Sequence, residues 1–191
     1  MNRPTPIPAR PGMGAQAARM AEILRVDHAG ELAAVAIYRG QRAVMAANAN
    51  PAIAETLAEM EGHEAAHLAR FDDLLNQHQV RPTLLAPAWR LAGFTLGAVT
   101  ALMGEKAAHA CTEAVETVIE DHYARQIEEL NADPTGPAAG LAPTLSKFRD
   151  DELAHRDTAI EQGALQAPGY PGLAAVIRAG CRAAIKISEK L

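Results

Sequence analysis

Two segments of the 191-residue chain carry a carboxylate and an imidazole three residues apart: Glu64-Ala-Ala-His67 and Glu152-Leu-Ala-His155. Positions i and i+3 share one face of a helix, so each segment offers both groups to a single point. The bare motif is weak in a chain this rich in Glu. The lone glutamates upstream strengthen it. Glu31 lies 33 residues before Glu64, and Glu116 lies 36 before Glu152. Glu31 is 19 residues before Asn50 and Glu64 is 13 after Pro51; Glu116 is 18 before Pro134 and Glu152 is 15 after Pro137. At about 1.5 Å per residue, the two arms of each hairpin agree within about two turns. Each hairpin therefore brings its lone Glu level with its Glu-x-x-His, and the chain reads as two copies of one half-site. A di-iron carboxylate bundle needs this set, one Glu from each of two helices and one Glu-x-x-His from each of the other two. Four carboxylates and two neutral imidazoles suit two iron ions.

Other assignments compete at this point. Glu59, Glu61, Glu113 and Glu120 are nearby carboxylates that serve equally as inward groups or as surface charge. His63 and His67 are four apart, as are Glu105 and His109, so a zinc pair on the second helix is open. No cysteine or third histidine completes it. A salt-bridged helix surface accounts for any single Glu, but not for the matched hairpins.

The elements that must hold these residues are helical. Val, Ile, Thr and aromatics are sparse and Ala abundant, and no alternating strand pattern appears. Prolines and glycines divide the chain into helices over 14–48, 52–79, 93–125 (with a break near Gly97 or Gly104), 145–163 and 173–189. Asn50 is the expected cap and Pro51 the first helical position of the second. Residues 131–143 are expected to form a loop. Residues 1–13, with four prolines, are expected as a flexible tail, and 14–191 as one all-α domain, a four-helix bundle with one or two additional helices. The two cysteines, Cys111 and Cys181, suit reduced thiols. A net charge of -5 with 4% aromatic residues counts against nucleic-acid binding.

Residues 84–103, LLAPAWRLAGFTLGAVTALM, form the apolar anomaly. Pro87 and Arg90 leave about 13 unbroken residues, too few to span a bilayer, which takes about 20. A buried core helix, an interfacial helix and a mouth for an apolar ligand all remain open, and Trp89 and Arg90 suit an interface. Arg178, Arg182, Lys186 and Lys190 share one face of the last helix, either solvated or facing anionic lipid.

Five stretches resemble the demethoxyubiquinone hydroxylases, ferritin-like di-iron monooxygenases of ubiquinone biosynthesis: VDHAGELAAVAIYRGQ (26–41), HEAAHLARFDDLL (63–75), PAWRLAGFTLGAVTALMGEKAAHACTEAVETVIEDHYARQI (87–127), KFRDDELAHRDTAIEQGA (147–164) and AGCRAAIKISEKL (179–191). The resemblance covers nearly everything after residue 20. It implies metal ligation by Glu31, Glu64, His67, Glu116, Glu152 and His155, the six that spacing selects, and places His122 and Tyr123 beside the metals as relay or hydrogen-bonding residues. By analogy Glu64 and Glu152 bridge, while Glu31 and Glu116 are terminal. Asp27 and Asp151 are candidates to orient ligand imidazoles, Asp72 a weaker one.

The same resemblance implies O2-dependent hydroxylation of a polyprenylated methoxy-methyl-benzoquinol, with NADH as electron source although no Gly-x-Gly-x-x-Gly is present. The partners it implies are that quinol, O2 and a membrane surface, with room for a homo-oligomer and a lipid-binding accessory protein. The expected location is the cytoplasmic side of the cell membrane, peripherally. The family's mitochondrial forms carry a transit peptide that this sequence lacks, so a bacterial form is expected. The rivals are a rubrerythrin-like peroxidase, a tRNA-base hydroxylase, an iron store and a lipid-binding helical scaffold. The first needs a four-cysteine site, and the acidic charge counts against the second.

Overall fold

The computed structural model describes residues 13–47, 51–134, 136 and 138–190. Six α-helices run along it: α1 (Met13–Ala47), α2 (Pro51–His78), α3 (Ala86–Leu102), α4 (Glu105–Ala132), α5 (Ala142–Glu161) and α6 (Tyr170–Ser188). Single 3-10 turns cover Ala139–Leu141 and Ala164–Gln166, and there is no strand among the described residues. The all-α bundle with two additional helices stands as expected. The expected tail, apart from Met13, and the Asn50 cap lie outside the described residues.

Proline and glycine set the boundaries. Pro51 opens α2, and Pro87, Pro143 and Pro171 sit in the first turns of α3, α5 and α6, where no amide is needed. Sequence punctuation placed three of these starts too late, because a proline read as a turn is instead the start of a helix. Gly104, at φ 115°, forces the chain out of α3 and into α4, so the expected break falls there and Gly97 lies inside α3. The expected 131–143 loop is shorter than its prolines suggest, because α4 runs to Ala132 and α5 begins at Ala142.

Helices α1, α2, α4 and α5 make the bundle, with α1 against α2, α4 against α5, and cross-contacts between α1 and α4 and between α2 and α5. Two apolar clusters plug its ends. Leu24, Phe71, Leu74, Leu145 and Phe148 fill one, while Met45, Ile53, Leu57 and Met60 fill the other. Glu31 lies between these plugs on α1 and Glu64 lies between them on α2. Alternation of apolar and acidic positions along the helices thus leaves a polar layer at mid-height.

Helix α3 reverses the usual pattern. Its buried positions are Gly93, Gly97, Thr100 and Ala101, while Leu91, Phe94, Val99 and Leu102 face outward. The small face lies directly on the α1 backbone. A Cβ at Gly97 would overlap the Ile37 carbonyl oxygen, one at Gly93 the Ala33 carbonyl, and one at Gly40 of α1 the Phe94 carbonyl. The core-helix reading of 84–103 is therefore overturned: glycines, not leucines, provide the packing. Gly97→Ala should cost about 1–3 kcal/mol in denaturant unfolding, since only backbone can yield. Gly62→Ala, with open space at its Cβ, should instead gain about 0.5–1 kcal/mol. Equal effects at the two positions would contradict the close crossing.

Helix α6 is fixed to α4 by a buried carboxylate. Glu113 accepts hydrogen bonds from Tyr170 Oη (2.8 Å), Arg178 Nη2 (2.6 Å) and Thr117 Oγ1 (3.1 Å). Arg178, its side chain 27% exposed, is thus paired with this carboxylate, and the four-residue basic face expected on α6 loses that member as a free cation.

Candidate metal centre

The layer between the plugs holds all six expected ligands. Glu31 comes from α1, Glu64 and His67 from α2, Glu116 from α4, and Glu152 and His155 from α5, each at most 4% exposed. They form two overlapping groups, Glu31, Glu64, His67 and Glu152 in one and Glu64, Glu116, Glu152 and His155 in the other. Within each group one ligand atom per residue lies within 4.8 Å of all the others. Glu64 and Glu152 belong to both.

His67 Nδ1 lies 3.6 Å from Glu31, 3.8 Å from Glu64 and 3.4 Å from Glu152. His155 Nδ1 lies 3.0 Å from Glu64 and 3.5 Å from Glu152. These approaches are not aligned as hydrogen bonds: both oxygens of Glu64 and of Glu152, and Nδ1 of both histidines, are buried without a hydrogen-bond partner. Six orphaned buried lone-pair atoms converging on one space are the signature of a cation site, because burying them otherwise costs several kcal/mol.

Electrostatics point the same way. Burial, then the neighbouring carboxylates, push Glu64 and Glu116 well above the ordinary carboxylate range. Burial opposes charge on His67 as well, but Glu152 and Glu31 outweigh it and raise the imidazole to about 10. Glu152 is also penalised by burial, yet the two histidines bring it down to about 2. Two divalent cations with four carboxylates and two neutral imidazoles sum to zero charge, which removes the conflict. Oxygen and imidazole donors without thiolate fit iron.

The surrounding groups fix the carboxylates from outside. Tyr123 Oη donates to Glu31 Oε1, and Tyr38 Oη donates to Glu116 Oε1 at 2.6 Å. Each tyrosine reaches across between α1 and α4 to the other helix's glutamate. Burial, then Glu116 and Glu31 respectively, drive both hydroxyls well above the phenol range, so both remain donors. His67 Nε2 meets Asp151 Oδ2 at 3.0 Å, as expected of an orienting carboxylate. Asp27 does not orient a ligand imidazole: its Oδ1 takes His122 Nε2 at 3.0 Å and Gln126 Nε2 at 2.9 Å. Asp72 holds His28. His122 belongs to neither ligand group.

The alternative carboxylates go elsewhere. Glu61 pairs with Arg39 and Arg42, Glu120 with Arg149, and Glu113 with Arg178, while Glu59 is exposed. His109 is buried with both ring nitrogens unbonded, away from the layer. The zinc pair fails because His63 and His67 do not converge. His63 Nδ1 instead lies 3.1 Å from His155 Nε2.

The family profile described as "Ubiquinone biosynthesis protein COQ7" matches residues 18–188. The chain belongs to the COQ7 family. It is 47% identical over 182 residues to a "3-demethoxyubiquinol 3-hydroxylase" of Rhodospirillum rubrum, covering 95% of this chain and 82% of the relative. It is 44% identical over 169 residues to an "NADPH-dependent 3-demethoxyubiquinone 3-hydroxylase, mitochondrial" of Rattus norvegicus, covering 88% and 76%. A "5-demethoxyubiquinone hydroxylase, mitochondrial" of Saccharomyces cerevisiae is 41% identical over 188 residues, covering 93% and 80%. The chain is accordingly a hydroxylase, an oxidoreductase of the COQ7 family.

Within this COQ7-family chain, sequence reasoning missed Tyr38 as a site residue and His63 as the neighbour of a ligand. Both carried a signal. Tyr38 follows Glu31 by seven residues as Tyr123 follows Glu116, and His63 immediately precedes Glu64 as Asp151 precedes Glu152. The internal repeat that aligned the glutamates also aligned these partners.

A small cavity of about 20 Å³ reaches the layer between α1, α4 and α6. Its walls include Gly30, Ile119 and Ile185 beside Glu31 and Glu116, and the adjoining cavity shares those three and ends at Trp89 of α3. A separate groove of about 520 Å³ between α1, α2 and α3 touches none of the six ligands.

Proposed function

We propose that the chain hydroxylates the ring of a polyprenylated demethoxy-benzoquinol with O2 at a two-iron centre held by Glu31, Glu64, His67, Glu116, Glu152 and His155. The observation that carries this is the pair of overlapping ligand groups sharing Glu64 and Glu152, in a chain whose relatives bear demethoxyubiquinol hydroxylase names. Glu64 and Glu152, common to both groups, would serve both ions, whereas Glu31 and Glu116, each held by one tyrosine hydroxyl, would serve one ion each. Bound ferrous ions would supply electrons to dioxygen and open coordination positions for it. The protein's own groups do the rest. Tyr38 and Tyr123 keep the terminal carboxylates from rotating, Asp151 keeps the His67 ring in the tautomer that leaves Nδ1 free, and the apolar plugs exclude water. His122, Asp27 and Gln126 form a hydrogen-bonded chain next to Tyr123 and Glu31, suited to moving protons to that edge of the centre. NADH is the proposed electron source.

Ferrous-loaded protein, given a demethoxy-quinol and O2, should form the hydroxylated quinol with near two irons per chain. One zinc per chain supporting turnover would sink the proposal. His155→Ala should lose iron and turnover together, whereas His122→Ala should keep most of its iron and lose turnover, as read by metal analysis beside product assay. If His122→Ala empties the centre as fully as His155→Ala, the ligand set is wrong.

The substrate's apolar tail gives α3 its role. No helix among the described residues is long and apolar enough to cross a membrane, yet Leu84, Leu91, Phe94 and Leu102 project outward from one segment. This face lies in the membrane interface, on the cytoplasmic side of the cell membrane, and directs the quinol past Trp89 toward the carboxylate layer. A double substitution, Phe94→Glu with Leu102→Glu, should move folded protein from the liposome-bound to the free fraction, because charge in the acyl boundary is costly. An unchanged bound fraction would remove the interfacial role.

A further inference from the structure

The bundle repeats itself, and at one position the repeat is broken. Helices α2 and α5 each carry Glu-x-x-His, and the residue just before each glutamate backs the other helix's imidazole. Asp151 of α5 backs His67 of α2 at 3.0 Å, while His63 of α2 backs His155 of α5 at 3.1 Å, with the two ring planes 11° apart and 5.3 Å between centroids, edge to edge. In both histidines Nδ1 faces the carboxylates and Nε2 faces the backing residue. A ring that ligates through Nδ1 carries its proton on Nε2, so each Nε2–H donates outward. His67 donates to a carboxylate and His155 donates to the Nδ1 of a neutral ring.

These two acceptors are not equivalent. A carboxylate behind a ligand imidazole raises its basicity and fixes its orientation, and loss of such a partner typically costs about 10–100-fold in metal affinity. A second imidazole fixes orientation but brings no negative charge. We propose that His63 is a positioning residue for His155 and that the two metal positions are unequal, the one at His67 holding its ion more tightly than the one at His155. This rests on the two-iron reading above.

The test is chelator-driven release from anaerobically ferrous-loaded protein, followed as iron remaining per chain. Wild type should release in two phases of equal amplitude, with rates differing by about tenfold or more. His63→Asp, which makes the two partners alike, should slow only the fast phase and bring the rates together. His63→Ala should accelerate the fast phase alone, and His63→Gln, whose amide oxygen can accept the same hydrogen bond, should restore it. Asp151→Asn should accelerate only the slow phase. Mössbauer spectra of the loaded protein should show two iron environments, of which His63→Asp moves one. His63 is exposed on α2, so its variants should fold, and circular dichroism checks this. Single-phase release of two irons, or His63 variants that shift both phases or neither, would overturn the inference while leaving the two-iron reading intact. Wild type that never takes up more than one iron would overturn both.

Discussion

Glu64→Ala is expected to bind less than one iron per chain and to form no detectable hydroxylated quinol. Glu64 belongs to both ligand groups, so its removal subtracts a donor from each position at once. Both its oxygens are buried without hydrogen-bond partners, so its removal orphans no hydrogen-bond donor and costs only its approaches to His155 and His67. The apo fold should survive and even gain stability, because a buried carboxyl forced well above its ordinary range by burial, Glu152 and Glu31 is removed. Glu116→Ala differs: it also orphans the Tyr38 hydroxyl, so it should lose iron and stability together, by about 1–3 kcal/mol for the unpaired donor. Metal analysis with denaturant unfolding of the apo proteins separates the two. Glu64→Ala that retains two irons would refute its bridging position.

The second large effect is a pH dependence that iron abolishes. In metal-free protein Glu64 and Glu116 are raised above their unfolded range, so folding is penalised increasingly as pH climbs above about 4.5. His67 is raised to about 10, so its contribution is complete below about 6.5 and fades as pH rises toward 10. Glu152, lowered to about 2, adds stability that is lost only in acid and is constant from pH 6 to 9. Glu64, Glu116 and His67 change the same way in that window, the native state binding more protons than the unfolded chain; they outweigh His109, whose imidazole is lowered by burial and adds stability as pH rises through about 6.5, so net stability falls with pH. The melting temperature of apo protein should therefore drop steadily from pH 6 to 9. Ferrous loading should stabilise the fold at every pH, by about 2.7 kcal/mol per site at a hundredfold excess over Kd, raising the melting temperature and flattening the slope because metal binding displaces those protons. An apo profile that is flat or rises from pH 6 to 9 would show that the carboxylate layer is not coupled as described.

The sequence already contained the centre because ligand chemistry is local. Glu31, Glu64, His67, Glu116, Glu152 and His155 lie at intervals that share one face within a helix or come level across a hairpin, and helix geometry converts those intervals into distance. Helix starts at Pro87, Pro143 and Pro171 were misjudged for an equally local reason, since a proline looks alike in a turn and in a first helical turn. Two things were not readable. The pairing of Asp27 with His122 depends on the α1–α4 register, which no interval within one helix reports. The orientation of α3 depends on which face meets α1, and an apolar periodicity cannot show that the packing face is the one with no side chains.

That glycine seam on α3 reverses the usual relation between burial and tolerance. In an ordinary amphipathic helix the inner positions accept several large residues and the outer ones accept mainly polar residues. Here Gly93 and Gly97 admit no side chain against α1, while Leu91, Phe94 and Leu102 touch little protein and can vary in size provided they stay greasy. If the proposed interfacial role of α3 holds, its outer surface could be retuned, residue by residue, to bilayers of different composition without disturbing the hydroxylase beneath it. Adaptation to a new membrane and preservation of the chemistry would then draw on separate sets of positions in the same helix.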